Sequence, residues 1–378
     1  MDRIHKISNF LNRKSCLLYL LLAFTVSQTF GQELALDYRH TQPEVEKKYD
    51  FIAIPLIFYL PETRLGFGAA SNLSLHWKNQ DVDERPTQFT IGAAYTLNKQ
   101  LLSYISYQIY TVKEIFWFRG ELGYYDYVYP FFGIGQEIAE ESSNFFSKYP
   151  RLRIDAMHQL IPDVFVGLSY RFDDYDVTSI DNDQNVFDGV DISDGITSGL
   201  GFVAVVDTRN IINYPSEGML FDLVYHVNND ATGATFDYSA LQLSFSKYLN
   251  LGNNVLAINY NSVNIFGDAP FYELALFGGG KRSRGYIEGE YRANNSFAIQ
   301  AEYRVRFKNK LKRFGAVIFA SAGQIFDDFE ELGFQNTRPA VGTGLRFLLS
   351  PEQNLNLRLD TGIGRNGLQF YLTFAEAF

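Results

Sequence analysis

Between two stretches that alternate like strands lies GGGKRSRGYIEGEYRANN, residues 278–295, with Arg284, Gly285 and Tyr286 near its middle. A guanidinium offers parallel donors that match a carboxylate, and a glycine beside it lets the backbone turn tightly. The chemistry open to Arg284 is therefore an ion-paired clamp. Two carboxylates stand on strand faces that carry other polar residues: Glu302 in SFAIQAEYRVRF and Asp360 in NLRLDTG. If the segment folds into the space those faces line, Arg284 meets Glu302 or Asp360. If it stays in water, it is a solvated basic loop with a glycine turn, and spacing alone does not choose between the two.

Other reactive residue types form no recognisable constellation. His40, His76, His158 and His226 lie outside any Ser-His or metal-ligand pattern. The three glycines at 278–280 precede no Lys-Ser/Thr helix, so they are no phosphate loop. Residues 173–195 hold eight aspartates and no basic residue. Asp181, Asp183 and Asn185 have the first spacings of a calcium loop, but its glycine and closing glutamate are absent. The expectation is a solvated, mobile external loop with almost no apolar anchor. No catalytic residue, metal site or cofactor is expected.

The elements that would position Arg284 are strands. Tyr and Phe contribute 25 and 34 of 378 residues, while charged residues still make up 20%. The two kinds alternate residue by residue, as in strands with two different faces. FIAIPLIFYLPETRLGFGAASNLSLHW splits at Pro61 into strands 51–59 and 64–77. Further strands are expected at 86–97, 100–112, 115–127, 148–160, 163–174, 195–207, 218–228, 235–248, 253–265, 296–308, 313–323, 338–349, 353–363 and 368–377. That is about sixteen, an even number as single-chain bacterial barrels require. Joins at 161–162, 249–252, 309–312 and 350–352 are short. Joins at 128–147, 175–194, 266–295 and 324–337 are long and fall at the opposite end. In the last strand Leu368, Phe370, Leu372, Phe374 and Phe378 share one face, which suits lipid. Gln300, Glu302, Arg304, Arg306, Arg346, Asn356, Arg358 and Asp360 point to a polar interior, because charges on the lipid face are costly near the midplane.

The N-terminus bears on the compartment. Arg3, Lys6, Arg13 and Lys14 precede CLLYLLLAFTV, which is too short to span a bilayer as a helix. Residues 1–31 read as a signal peptide cleaved before Gln32, 32–49 as a short periplasmic linker and 50–378 as the barrel. The single cysteine, Cys16, falls in the peptide, so neither disulfide nor thiol chemistry is expected of the remainder. The net charge of −10 becomes more negative on cleavage, and no nucleic-acid partner is expected.

GGGKRSRGY before a strand ending in EYR resembles the sixth-loop signature of the BamA/TamA superfamily of outer-membrane assembly and translocation barrels, which carry a bacterial surface antigen domain. Other stretches are similar in order. VVDTRNIINYPSEG, with Asp207, Arg209, Pro215 and Gly218, resembles the family's periplasmic turn motif. PLIFYLPETRLGFGA resembles the first hairpin, and AVGTGLRF and LRLDTG the late strands. Phe378 resembles the terminal aromatic of substrates of the barrel assembly machinery. The resemblance implies an all-β transmembrane antiparallel barrel of about sixteen strands, with the sixth loop folded into its lumen. It implies integral residence in the outer membrane of a Gram-negative bacterium and a role in protein assembly, insertion or translocation. The implied partners are outer-membrane lipid, the assembly machinery for its own insertion, and a separate periplasmic partner or client. A passive pore is the alternative, and an outer-membrane enzyme a weaker one. Three departures stand out. Ser283 replaces a branched apolar residue, Asn210 replaces the second Asp of the turn motif, and Ser321 stands where the family's Phe-x-Asp-x-Gly places the arginine's partner. Residues 32–49 are also too short for the periplasmic POTRA domains that usually precede the barrel. External protease on intact cells is expected to cut the long loops and spare 32–49; the reverse pattern would overturn this topology.

Overall fold

The computed structural model describes residues 49–60, 64–80, 84–97, 99–181 and 185–378. The expected signal peptide, the linker up to residue 48 and Asp183 lie outside the described residues. The chain builds β1 (Tyr49–Leu60), β2 (Arg64–Leu75), β3 (Thr87–Thr96), β4 (Leu101–Tyr110), β5 (Phe116–Phe131) and β6 (Ser143–Ile161). Then come β7 (Val164–Asp181), β8 (Gly195–Asp207), β9 (Gly218–Asn228), β10 (Tyr238–Leu251), β11 (Asn254–Gly267) and the short β12 (Ala275–Phe277) and β13 (Tyr291–Ala293). β14 (Asn295–Arg306), β15 (Phe314–Phe326), β16 (Arg338–Ser350), β17 (Leu355–Gly364) and β18 (Gly367–Phe374) complete it. Sixteen strands form one antiparallel sheet in chain order, with β11 beside β14, while β12 and β13 pair separately inside the long connection.

The alternation works as two solvents demand. Ile299, Ile318, Leu345, Leu359 and Leu372 are exposed on the outer face, where lipid satisfies them. Gln300, Glu302, Arg304, Arg346, Arg358 and Asp360 are each 4% exposed or less, facing inward. A second inward group sits on β5–β9. Asp155 takes Arg119 at 2.8 Å and Arg171 at 2.9 Å, Asp173 takes Arg151 at 3.0 Å, and Arg153 also pairs with Asp173. The sheet returns on itself: Ser350 Oγ donates to the Asp50 carboxylate at 2.9 Å, and Gln353 Nε2 to the Asp50 carbonyl at 3.2 Å. The start of β1 therefore lies against the β16–β17 turn, as in a barrel. Yet β1 pairs only with β2 and β18 only with β17 among the described residues.

Two expectations are corrected. The hairpin of β5, β6 and β7 reaches well past residues 127, 148 and 174, because its upper rungs are aromatic. Beyond the expected ends, Tyr129 stacks on Phe145 at 5.2 Å and Tyr175 packs on Tyr149 at 4.4 Å, which holds strand structure where loops are expected. For the same reason residues 173–195 are not an unanchored acidic loop. Asp173 is fully buried on β7, and Phe187 is buried against Phe131, ring centroids 4.4 Å apart.

The second correction concerns Phe378. β18 stops at Phe374, and Ala375 takes a left-handed φ of 59° that turns residues 375–378 into the lumen. The cause lies in the parity of the strand. Continued straight, β18 would point Glu376 outward with Phe374, placing a carboxylate in lipid. Kinked, it brings Glu376 Oε2 within 2.7 Å of Arg346 Nε and Glu376 Oε1 within 2.9 Å of Asn356 Nδ2. Phe378 follows it inside, 5.2 Å from the Arg304 guanidinium.

Ile318→Arg is expected to destabilise the barrel by about 2–4 kcal/mol, and Phe314→Lys, near the strand end, by about 0–1 kcal/mol. Equilibrium unfolding in bilayers would read both. Equal costs would place Ile318 away from the membrane midplane.

Candidate functional site

The long connection 268–294 leaves β11 and turns inward. Its β12–β13 pair joins Ala275 with Ala293, Leu276 with Arg292 and Phe277 with Tyr291. Phe277, Tyr286, Tyr291 and Ala293 are buried against Ala298, Ile325 and Ala340 of the barrel wall. This apolar packing holds the loop in the lumen independently of its charges.

The crest of the loop lies on a bed of glycines. Gly285 has φ of 120°, a region that side-chain-bearing residues rarely adopt. A Cβ on Gly364 would stand 2.5 Å from the Gly285 carbonyl oxygen, and one on Gly362 2.8 Å from the Arg284 backbone. β17 can thus carry the loop only because those positions lack side chains. From β18, the Tyr371 hydroxyl accepts from Gly285 N–H at 3.0 Å and donates to the Tyr286 carbonyl at 2.8 Å. Tyr286 in turn donates its hydroxyl to the Pro339 carbonyl at 2.8 Å.

Arg284 is fully buried between both expected carboxylates. Nη1 lies 2.7 Å from Asp360 Oδ2, and Nη2 is paired with Glu302 Oε1. The guanidinium sits 3.6 Å above the centroid of the Phe319 ring, which stacks a planar cation on an aromatic face. Phe319 can lie flat there because a Cβ on Gly342 would stand 2.3 Å from its ring. Ser321, which cannot supply a charge, meets Ser283 hydroxyl to hydroxyl at 3.0 Å. Two of the three departures noted in the sequence, Ser283 and Ser321, therefore face each other. A serine pair replaces one contact, and the arginine takes its carboxylates from β14 and β17.

The pair belongs to a chain of charges. Glu302 also accepts from Arg304 Nε at 2.8 Å, Asp360 is also paired with Arg346 and lies 3.6 Å from Arg358 Nε, and Arg346 continues to Glu376. Carbonyls take up further guanidinium donors. Arg304 Nη2 donates to Phe378 at 2.8 Å and Arg358 Nη2 to Gly280 at 3.0 Å. Four arginines and three carboxylates thus link the loop, β14, β16, β17 and residues 375–378.

The other half of the loop seats on the opposite wall. Phe271 and Tyr272 enter the aromatic cluster of Phe131, Phe145, Tyr149, Tyr175 and Phe187. Glu273 accepts from Tyr175 at 2.8 Å and Tyr238 at 3.3 Å; burial, then the nearby Asp173, raises its carboxyl above the usual range. Arg292 has no carboxylate partner among the described residues. Burial lowers it to about 9, and it rests 4.7 Å from the Phe131 ring with the Phe271 carbonyl at 3.3 Å.

The turn residues Asp207, Arg209, Pro215 and Gly218 form a separate site at the short-turn end. Asp207 is fully buried and takes Arg209 through Nε and Nη2, both at 2.8 Å. Gly218 has φ of 88° and lies so close to Thr208 that a Cβ would stand 2.0 Å from its carbonyl oxygen. The turn folds under the lumen: the Pro215 carbonyl is 3.4 Å from Arg304 Nη1, and Tyr214 lies 3.8 Å beneath the Arg306 guanidinium. Sequence reasoning missed Arg85, which joins four turns by pairing with Glu114, Asp163 at 3.1 Å and the Asp207 carbonyl. No periodic signal marks it. It also missed Glu376, whose signal is present as the one charge on the apolar parity of β18.

A family model described as the Omp85 superfamily domain matches residues 151–365, more than half of the chain. Among solved structures the fold is similar to BamA from Haemophilus ducreyi lacking POTRA domains 1–3. The TM-score there is 0.55 and the identity 13%, over 87% of this chain and 70% of that one. It is also similar to CdiB from Acinetobacter baumannii, with TM-score 0.52 and 12% identity, over 87% of this chain and 60% of that one. No curated protein sequence matches the chain.

A double-mutant cycle of Arg284→Ala with Asp360→Asn and with Glu302→Gln, read by thermal unfolding in detergent, is expected to give coupling of about 1–3 kcal/mol for at least one pair. Arg284→Lys should rescue only in part, because a point charge lacks the planar fork. Zero coupling with both carboxylates would remove the clamp from the account.

Proposed function

The chain belongs to the Omp85 superfamily, and from that premise we propose that it assembles client proteins at the outer membrane through the seam between its first and last strands. One observation carries this reading: β1 and β18 share no ladder among the described residues, while every other neighbouring pair in the sheet does. An unpaired strand edge is a template for another strand, and addition of a client strand would satisfy its backbone groups. The lumen supports the same reading, since loop 268–294 and residues 375–378 occupy it and turn 208–217 folds under it. Insertion at the seam needs no open channel, whereas translocation through the lumen would require these segments to leave. Phe378 then acts from inside the barrel, holding Arg304, in addition to any part it plays as an assembly signal. A separate periplasmic partner delivers the client, and the work is conformational rather than catalytic.

The passive-pore reading predicts a different phenotype. In a strain lacking the chain, assembly predicts loss of particular outer-membrane or surface proteins, restored by wild type and restored poorly by Arg284→Ala at equal barrel levels. Quantitative proteomics of the outer membrane reads this directly. Unchanged protein content together with a lost solute flux would replace assembly with a pore.

A further inference from the structure

The turn between β14 and β15 reads RFKNKLKRF from Arg306 to Phe314 and carries Lys308, Lys310, Lys312 and Arg313 with no acid among them. All four side chains are exposed, and no carboxylate pairs with any of them among the described residues. Other short-turn connections carry carboxylates, among them Glu114, Asp163, Glu217 and Glu352. In a chain of net charge −10, this turn is a basic patch set apart from its surroundings. It is also ordered: Phe307 N–H donates to the Phe314 carbonyl at 3.1 Å, and Leu311 and Lys312 close a tight turn on Lys308 and Asn309, each at 3.2 Å.

Its height against the membrane follows from the strand below it. The outer face of β14 runs Phe297, Ile299, Ala301, Tyr303 and Val305, and Phe307 continues it. Ten residues rise about 33 Å along a strand, or about 25 Å across the membrane at a tilt near 40°, which is the height of the apolar band of such barrels. Phe307 and Phe314, 38% and 46% exposed, therefore mark the lower rim of the band. The four cations lie one step beyond it, at the level of lipid headgroups. Leu311, 55% exposed at the tip, adds apolar surface beside them.

We infer that the β14–β15 turn is a docking surface for anionic phospholipid headgroups in the leaflet at the short-turn end, placed on the wall that carries the Arg284 network. The inference needs only the membrane placement, not the assembly reading, so either can fail alone.

The test uses the full barrel reconstituted in phosphatidylcholine bilayers, with spin-labelled phosphatidylglycerol or spin-labelled phosphatidylcholine as probe. Wild type is expected to favour phosphatidylglycerol. The variant Lys308→Gln, Lys310→Gln, Lys312→Gln, Arg313→Gln should lose that preference by at least fivefold, on the scale of about fivefold for each basic residue at an anionic surface. Its phosphatidylcholine annulus should be unchanged. Raising the salt should bring wild type toward the variant. The double variant Lys310→Gln, Lys312→Gln should fall between, and gives the answer if the quadruple variant fails to fold. Equal phosphatidylglycerol preference in wild type and variants would overturn the inference. So would variants that keep the lipid preference but lose an acidic periplasmic protein on purification, which would assign the patch to a protein.

Discussion

A guanidinium placed inside a barrel must be neutralised there or expelled. Arg284 meets that constraint with two carboxylates and an aromatic face, and much of the surrounding architecture follows from it. The carboxylates must come from different strands to grip both sides of the planar fork, so β14 and β17 are tied to one loop residue. Each carboxylate then needs further cations, which brings in Arg304, Arg346 and Arg358. Those cations bring in carbonyls and Glu376 in turn. Removing water from ions is expensive unless the geometry and the remaining hydrogen bonds are good. The density of partners around Arg284 reflects that cost.

The glycines of β16 and β17 serve the same constraint. A Cβ at Gly344 would stand 1.9 Å from Asp360 Oδ1, so the carboxylate has its orientation only because that position is bare. Gly342 does the same for Phe319, and Gly362 and Gly364 for the loop crest. The inner wall beneath the clamp is thus cut to shape by omission: a methyl group at Gly362 or Gly364 would lift the loop crest off the wall, and one at Gly342 or Gly344 would displace Phe319 or Asp360.

Much of this is legible in the amino-acid sequence. Period-two alternation in the last five strands assigns Glu302, Arg304, Arg346, Arg358 and Asp360 to the interior, because lipid tolerates only one of the two registers. The turn and loop lengths order the strands. What alternation cannot show is anything set by contacts across the lumen. Phe319 is visible only as an apolar residue in a weak motif, and its ring under Arg284 depends on Gly342, its partner on the neighbouring strand. Arg85 sits in a turn without pattern, and its partners come from three other turns. The kink at Ala375 is readable in principle from Glu376, since a carboxylate on a lipid-facing parity has to be removed from it. The upper rungs of β5 and β6 are punctuated in the sequence by Pro130, Gly133, Ser142 and Ser143, which read as a turn, and cross-strand ring pairing of Tyr129 with Phe145, which composition does not reveal, keeps the chain in strand.

Tyr371 gives the last strand a mechanical role. Its hydroxyl holds both sides of the loop crest, accepting from Gly285 and donating to Tyr286. The last strand and the buried clamp are therefore joined in parallel with the β17–β18 ladder. A pull on β18 loads the loop as well as the ladder, and a loop that slips its seat slackens the strand. The edge strand and the plug behave as one tensioned part, so the stiffness of the seam is set from inside the barrel.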